Sequence, residues 1–150
     1  MALFLSTYIN KIDGKGRVSV PATFRAALAA NPFQGIVVFK SRSHSALEGF
    51  GMEDMAEIAT RLDHFDLFSD TQDDLATVIF AESRQLPFDG DGRIVLPEDL
   101  RAFCGMADKA AFVGMGRKFQ IWQPEALEKR LAAARQNVQD KELTVPPNKT

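Results

Sequence analysis

The chain holds a single cysteine, Cys104, so no disulfide can form within it. One Trp and one Tyr stand against twelve Phe, so an aromatic core must be built from phenylalanine. The two histidines, His44 and His64, fall in separate connecting segments with no metal-ligand spacing. No apolar run approaches the length of a membrane span, and no charged stretch followed by a long apolar one opens the chain. Neither a metal, a cofactor nor a membrane partner is expected, and the protein reads as cytosolic.

A strong excess of one charge is also lacking, since the net charge is −2. The distribution is uneven all the same. Residues 1–45 hold six Lys and Arg and one acid, a net +5; residues 46–110 hold five against fifteen, a net −10; residues 111–150 hold seven against four, a net +3. A basic face backed by an acidic body suits a nucleic-acid binder with a restricted contact surface. Hydrophobic content of 45% and charged content of 25% are ordinary for a globular domain.

What is present is a repeat. Ile12-Asp13-Gly14-Lys15-Gly16-Arg17-Val18-Ser19-Val20-Pro21 returns 76 positions later as Phe88-Asp89-Gly90-Asp91-Gly92-Arg93-Ile94-Val95-Leu96-Pro97. Asp-Gly opens a turn, the second glycine permits a tight bend, and the β-branched residues that follow suit a strand. Proline then ends the ladder because it has no N–H to donate. Each copy therefore reads as turn, short strand and stop, with an arginine at the edge of the turn. The same elements follow each copy: a short helical pattern (Phe24–Leu28; Leu100–Cys104), an apolar run (Ile36–Phe39; Ala110–Val113) and a second strand (Ala46–Phe50; Phe119–Trp122). Matching order at nearly constant offset implies duplication of one supersecondary unit. Units this small bury too little apolar surface to stand alone, so the two should share a core.

Between the units the period changes. Met52, Met55, Ile58, Ala59 and Leu62 predict a helix, and a second is predicted over Thr71–Ser83, capped by Ser69 or Asp70, with Leu75, Val78, Ile79 and Glu82 on one face. Phe4–Ile12 and Gln85–Phe88 lead into the two turns as strands, and Pro87 argues for a sheet edge. Ala22–Ala30 predicts a helix closed by Asn31-Pro32. Pro124 opens a last helix with Leu127, Leu131 and Ala134 as its stripe. The expected divisions are 4–51 for the first unit, 52–79 for bridging helices, 80–123 for the second unit, 124–138 for the terminal helix and 139–150 for a mobile tail. The fold class is α+β and β-rich, two tandem units with pseudo-two-fold symmetry.

Arg17 can fork onto a phosphate or a guanine edge, and Lys15 can neutralise a phosphate. Asp13, four residues earlier, can pair with Arg17 and orient it. Lys11, Arg25, Lys40 and Arg42 are candidates to widen the basic face, but each alone reads as a solvated charge instead. Other chemistries fit badly. Asp89-Gly90-Asp91 begins like a calcium loop, but Arg93, Ile94 and Leu100 stand where ligand, glycine and glutamate are needed. Gly14 and Gly16 lack the rest of a nucleotide-binding fingerprint. Cys104 lies in an apolar helical pattern and reads as core rather than nucleophile.

The doubled Asp-x-x-x-Arg motif, with Val18-Ser19-Val20-Pro21 after the first copy and Lys118-Phe119-Gln120-Ile121-Trp122 near the end, resembles the MraZ family of bacterial transcriptional regulators. The resemblance covers roughly residues 4–135. It implies tandem SpoVT-AbrB, or swapped-hairpin, domains and no enzymatic activity. It also implies control of the division and cell-wall gene cluster in the cytoplasm at the nucleoid, by a closed homo-oligomeric ring on double-stranded DNA with repeated promoter boxes. Carried over, the DNA-contact residues are Lys15, Arg17 and Arg93, with Asp13 and Asp89 as the motif acids. Asp91 departs from the pattern where the first copy has Lys15. The other class of function weighed is an AbrB-like antitoxin or protein-interaction scaffold. An antitoxin of that kind normally has one such domain and a disordered toxin-binding tail, which two domains and a short tail disfavour.

Overall fold

The computed structural model describes residues 2–66 and 68–148. Among them are eight strands in two antiparallel sheets and five α-helices. In chain order these are β1 (Thr7–Lys11), β2 (Arg17–Ser19), α1 (Ala22–Leu28), β3 (Gly35–Lys40), β4 (Leu47–Phe50), α2 (Met52–Leu62), α3 (Asp70–Ala76), β5 (Arg84–Pro87), β6 (Arg93–Val95), α4 (Glu98–Cys104), β7 (Lys109–Gly114), β8 (Phe119–Trp122) and α5 (Pro124–Asp140).

The larger sheet runs β1-β7-β8-β4-β3-β5, and the smaller is the ribbon β2-β6. Each unit thus lends its leading strand to the other: β1 pairs with β7, and β5 pairs with β3. The registers reveal the pseudo-dyad. Val18 lies opposite Ile94, its own counterpart at the 76-residue offset, and the flanking pairs Arg17–Val95 and Ser19–Arg93 exchange under the same rotation. At the other end of the axis Glu48 lies opposite Gln120. The two hairpins are interleaved. Pro87 does sit on an edge strand, where its missing donor costs the ladder nothing.

Alternation sends one side of each strand into a shared core. Val18, Val20, Ile94, Leu96, Ile36, Val38, Leu47, Phe112, Phe119 and Ile121 meet there with Phe24, Leu28 and Leu100 from the short helices. Phenylalanine dominates as expected: Phe24 packs against Phe4, Phe112 and Phe119 at centroid distances of 5.2, 6.4 and 5.4 Å. Burying each such ring is worth about 1.5–3 kcal/mol. Gly49 lies opposite Phe119, and a β-carbon there would fall 2.3 Å from that ring, which explains a glycine inside a strand. On the outer face, Glu48 accepts hydrogen bonds from Lys118 (2.9 Å) and Gln120 (3.2 Å), and Gln120 accepts one from the Trp122 indole (2.8 Å), so the buried polar row is satisfied.

Local chemistry sets the remaining helix ends. Gly51 has no side chain to cap α2, so Asn31 reaches across and its Oδ1 accepts from Glu53 N at 2.9 Å. Ser69 caps α3 by accepting from Gln72 N. Two expectations need correction. The first strand begins only at Thr7, because Ser6 adopts a φ of 72° and breaks the extended run; Phe4 makes an isolated bridge to Gly116. The helix expected over Thr71–Ser83 is α only through Ala76 and continues as a π-helical turn, Thr77–Ala81. There the Thr77 hydroxyl donates back to Asp73 O at 2.8 Å, and the widened turn lets Ile79 and Phe80 pack near Val37, Phe39 and Met55 while Val78 stays exposed.

Candidate nucleic-acid interface

Both motif loops are held by one hydrogen-bond scheme. In the first, Asp13 Oδ1 accepts from Lys15 N and Arg17 N, each at 2.9 Å, and Oδ2 accepts from Arg17 Nε at 2.6 Å. In the second, Asp89 Oδ1 accepts from Asp91 N and Arg93 N at 2.9 Å, and Oδ2 from Arg93 Nε at 2.9 Å. An aspartate is needed because it is short enough to reach two backbone donors and still present an oxygen to the arginine. These contacts, led by the backbone N–H of Arg17 for Asp13 and of Arg93 for Asp89, hold both carboxyls below their usual range. Gly16 and Gly92 close the turns at φ of 82° and 75°, a conformation that side chains disfavour.

Pairing of β2 with β6 brings the two loops onto one surface. Val18 and Ile94 point into the core, so Arg17, Ser19, Arg93 and Val95 share the outward face. The ribbon extends beyond its strands, since Val20 N donates to Gly92 O (3.1 Å) and Leu96 N to Gly16 O (2.9 Å). Arg17 and Arg93 are diagonal neighbours, their α-carbons about 7–8 Å apart. Their surroundings differ. Arg17 is tied through Nε alone, and among the described residues its two terminal nitrogens make no hydrogen bond. Arg93 also spends Nη2 on Asp91 at 3.3 Å.

A second pair of arginines was not legible as such. Arg25 on α1 donates Nη1 to Val20 O at 2.9 Å, and its guanidinium lies under the opposite loop: a β-carbon at Gly92 would fall 2.4 Å from that nitrogen. Arg101 on α4, 76 positions later, donates Nε to Leu96 O at 3.1 Å and lies against Gly16. Arg25 is therefore a half-buried support rather than the solvated charge expected of it. The signal for Arg101 was the repeat offset itself, applied to Arg25. Lys40 sits over the Phe103 ring at 5.2 Å and serves packing rather than an open basic face. Cys104 is buried, and burial pushes its thiol up to about 12, which excludes a nucleophile at neutral pH.

Comparison with known proteins gives the family. Transcriptional regulator MraZ of Gluconobacter oxydans (strain 621H) is 46% identical over 138 residues, spanning 90% of this chain and 84% of its own. Its namesake in Rickettsia rickettsii (strain Sheila Smith) is 41% identical over 145 residues, 97% of each chain. The chain belongs to the MraZ family. A family model described as "MraZ protein, putative antitoxin-like" matches residues 79–145, which include the second motif loop and α5. Membership makes this MraZ protein a transcriptional regulator and not an enzyme.

Proposed function

We propose that this MraZ protein regulates transcription by binding double-stranded DNA through the β2–β6 ribbon, with Lys15 and Arg17 as the principal contacts and Arg93 as a weaker one. The observation that carries the reading is the Arg17 guanidinium, fixed by Asp13 on an exposed ribbon, its two terminal nitrogens unbonded among the described residues. A two-stranded ribbon fits the major groove, and an arginine fork matches either a phosphate or the guanine O6/N7 edge. The regulated target is the division and cell-wall gene cluster, read as repeated promoter boxes in the nucleoid of the cytoplasm.

A closed ring of subunits belongs to the same proposal. One subunit offers few cations, so single-site binding is weak and salt-sensitive. Several loops on one ring make the second and third contacts intramolecular, which adds a factor on the order of 10² or more. Exposed apolar side chains on the bridging region (Phe65, Phe68, Val78) and on α5 (Leu131, Val138) support a head-to-tail surface there. The expected division into two units at 4–51 and 80–123 with helical bridges is retained as part of this reading. Footprinting of the purified protein on the region upstream of its own gene tests it: periodic protection by wild type that is absent with Arg17→Ala is the expected result. Protection that survives Arg17→Ala refutes the assigned contact, and light scattering that shows a monomer at all working concentrations refutes the ring.

A further inference from the structure

The outward face of the ribbon carries one apolar side chain, Val95, which is 53% exposed. Every other apolar residue of the two motif strands and their continuations is used by the core: Val18, Val20, Ile94 and Leu96 are each 1% exposed. The fold gains little from Val95, and its counterpart across the pseudo-dyad is the polar Ser19. Val95 lies directly opposite Arg17 in the antiparallel register, so their β-carbons are about 4.5–5.5 Å apart on the same face. Whatever Arg17 engages, Val95 reaches the adjoining surface.

In the major groove only thymine presents a methyl group; the other bases offer hydrogen-bonding edges that a valine leaves unsatisfied. Arg17 reads polar atoms and Val95 has none. We propose that Val95 is a specificity-determining residue that packs on the 5-methyl of a thymine next to the position engaged by Arg17. This rests on the reading of the ribbon as the DNA-contacting face. It also makes the two ends of the ribbon chemically unlike: Arg17 with an apolar neighbour at one end, Arg93 with a hydroxyl at the other.

The test uses duplexes selected from a random pool by the full-length wild-type protein, then resynthesised with deoxyuridine replacing thymidine one position at a time. Uracil pairs as thymine does and lacks only the methyl. Affinity is measured by fluorescence anisotropy at one fixed salt concentration. At one thymine in a box, the substitution should weaken wild-type binding about fourfold, the worth of one buried methyl. Val95→Ala should bind the thymine duplex weakly and show no preference over the uracil one. Its oligomer size should match wild type, because the side chain lies outside the core. Equal wild-type affinity for thymine and uracil at every position overturns the proposal, as does a full preference retained by Val95→Ala. Failure of the underlying reading looks different: wild type would then select no sequence at all, or Arg17→Ala would bind the selected duplex normally.

Discussion

The loops at 13–17 and 89–93 have the same skeleton and opposite charge. Each hangs on one aspartate that accepts two backbone N–H groups and one arginine Nε, and each closes on a glycine with positive φ. With Asp13, Lys15 and Arg17 the first carries a net +1; with Asp89, Asp91 and Arg93 the second carries a net −1. The position between the two glycines makes the difference, and its side chain takes no part in the backbone scheme. Shape and chemistry are therefore separable here: the two loops share the scaffold and differ at the position between the glycines. The second loop keeps its arginine but occupies it with a second carboxylate.

That contrast can be broken most directly at the arginines. Arg17→Ala should abolish specific binding, a loss on the order of 100-fold or more because every loop of the proposed ring would be affected at once, with oligomer size unchanged by light scattering. An equal loss from Arg93→Ala would erase the distinction between the loops. Nearly as large is the expected effect of inserting half a helical turn between promoter boxes, which places the next loop against the wrong groove face; gel-shift titration reads it.

Asp91→Lys converts the second loop to the charge pattern of the first. Affinity should rise, and the slope of log K against log salt should steepen by about 0.9 for each added phosphate contact. An unchanged slope would mean that the second loop never approaches DNA. Arg93→Ala should cost less, about tenfold at most, and should leave the salt slope almost unaltered because its charge is already countered.

The smallest effect concerns pH. Asp13 and Asp89 have folded-state values below the ordinary carboxylate range. Their contribution to loop order is therefore complete above that ordinary range and is lost as pH falls through the depressed values. The amide resonances of Lys15, Arg17, Asp91 and Arg93 should shift together on acid titration. Both loops should respond alike, since the acids, unlike the intervening residues, are shared.

Much of this was legible because turn chemistry is local. Asp13-Gly14 and Asp89-Gly90 specify a turn within a few residues, Pro87 specifies an edge, and Ser69 specifies a helix start. The π-helical turn at Thr77–Ala81 was not legible, because its wide geometry answers to the packing of Ile79 and Phe80 near Met55 and Val37, contacts no local pattern expresses.

By itself the sequence determined the repeat, its 76-residue offset, the class of the fold and the residues that build each loop. The family resemblance already implied swapped hairpins; the tertiary structure decided which strands meet, β2 with β6, β1 with β7 and β5 with β3, and that Arg25 and Arg101 each support the loop of the opposite repeat. The physical reason is range. A strand's alternation says which side it buries but not which strand it meets, and two short strands of near-identical pattern do not name their partners. The shared core goes with that choice: the interleaved pairing buries both Val18 and Ile94, and it puts Arg17 and Val95 side by side on one exposed face.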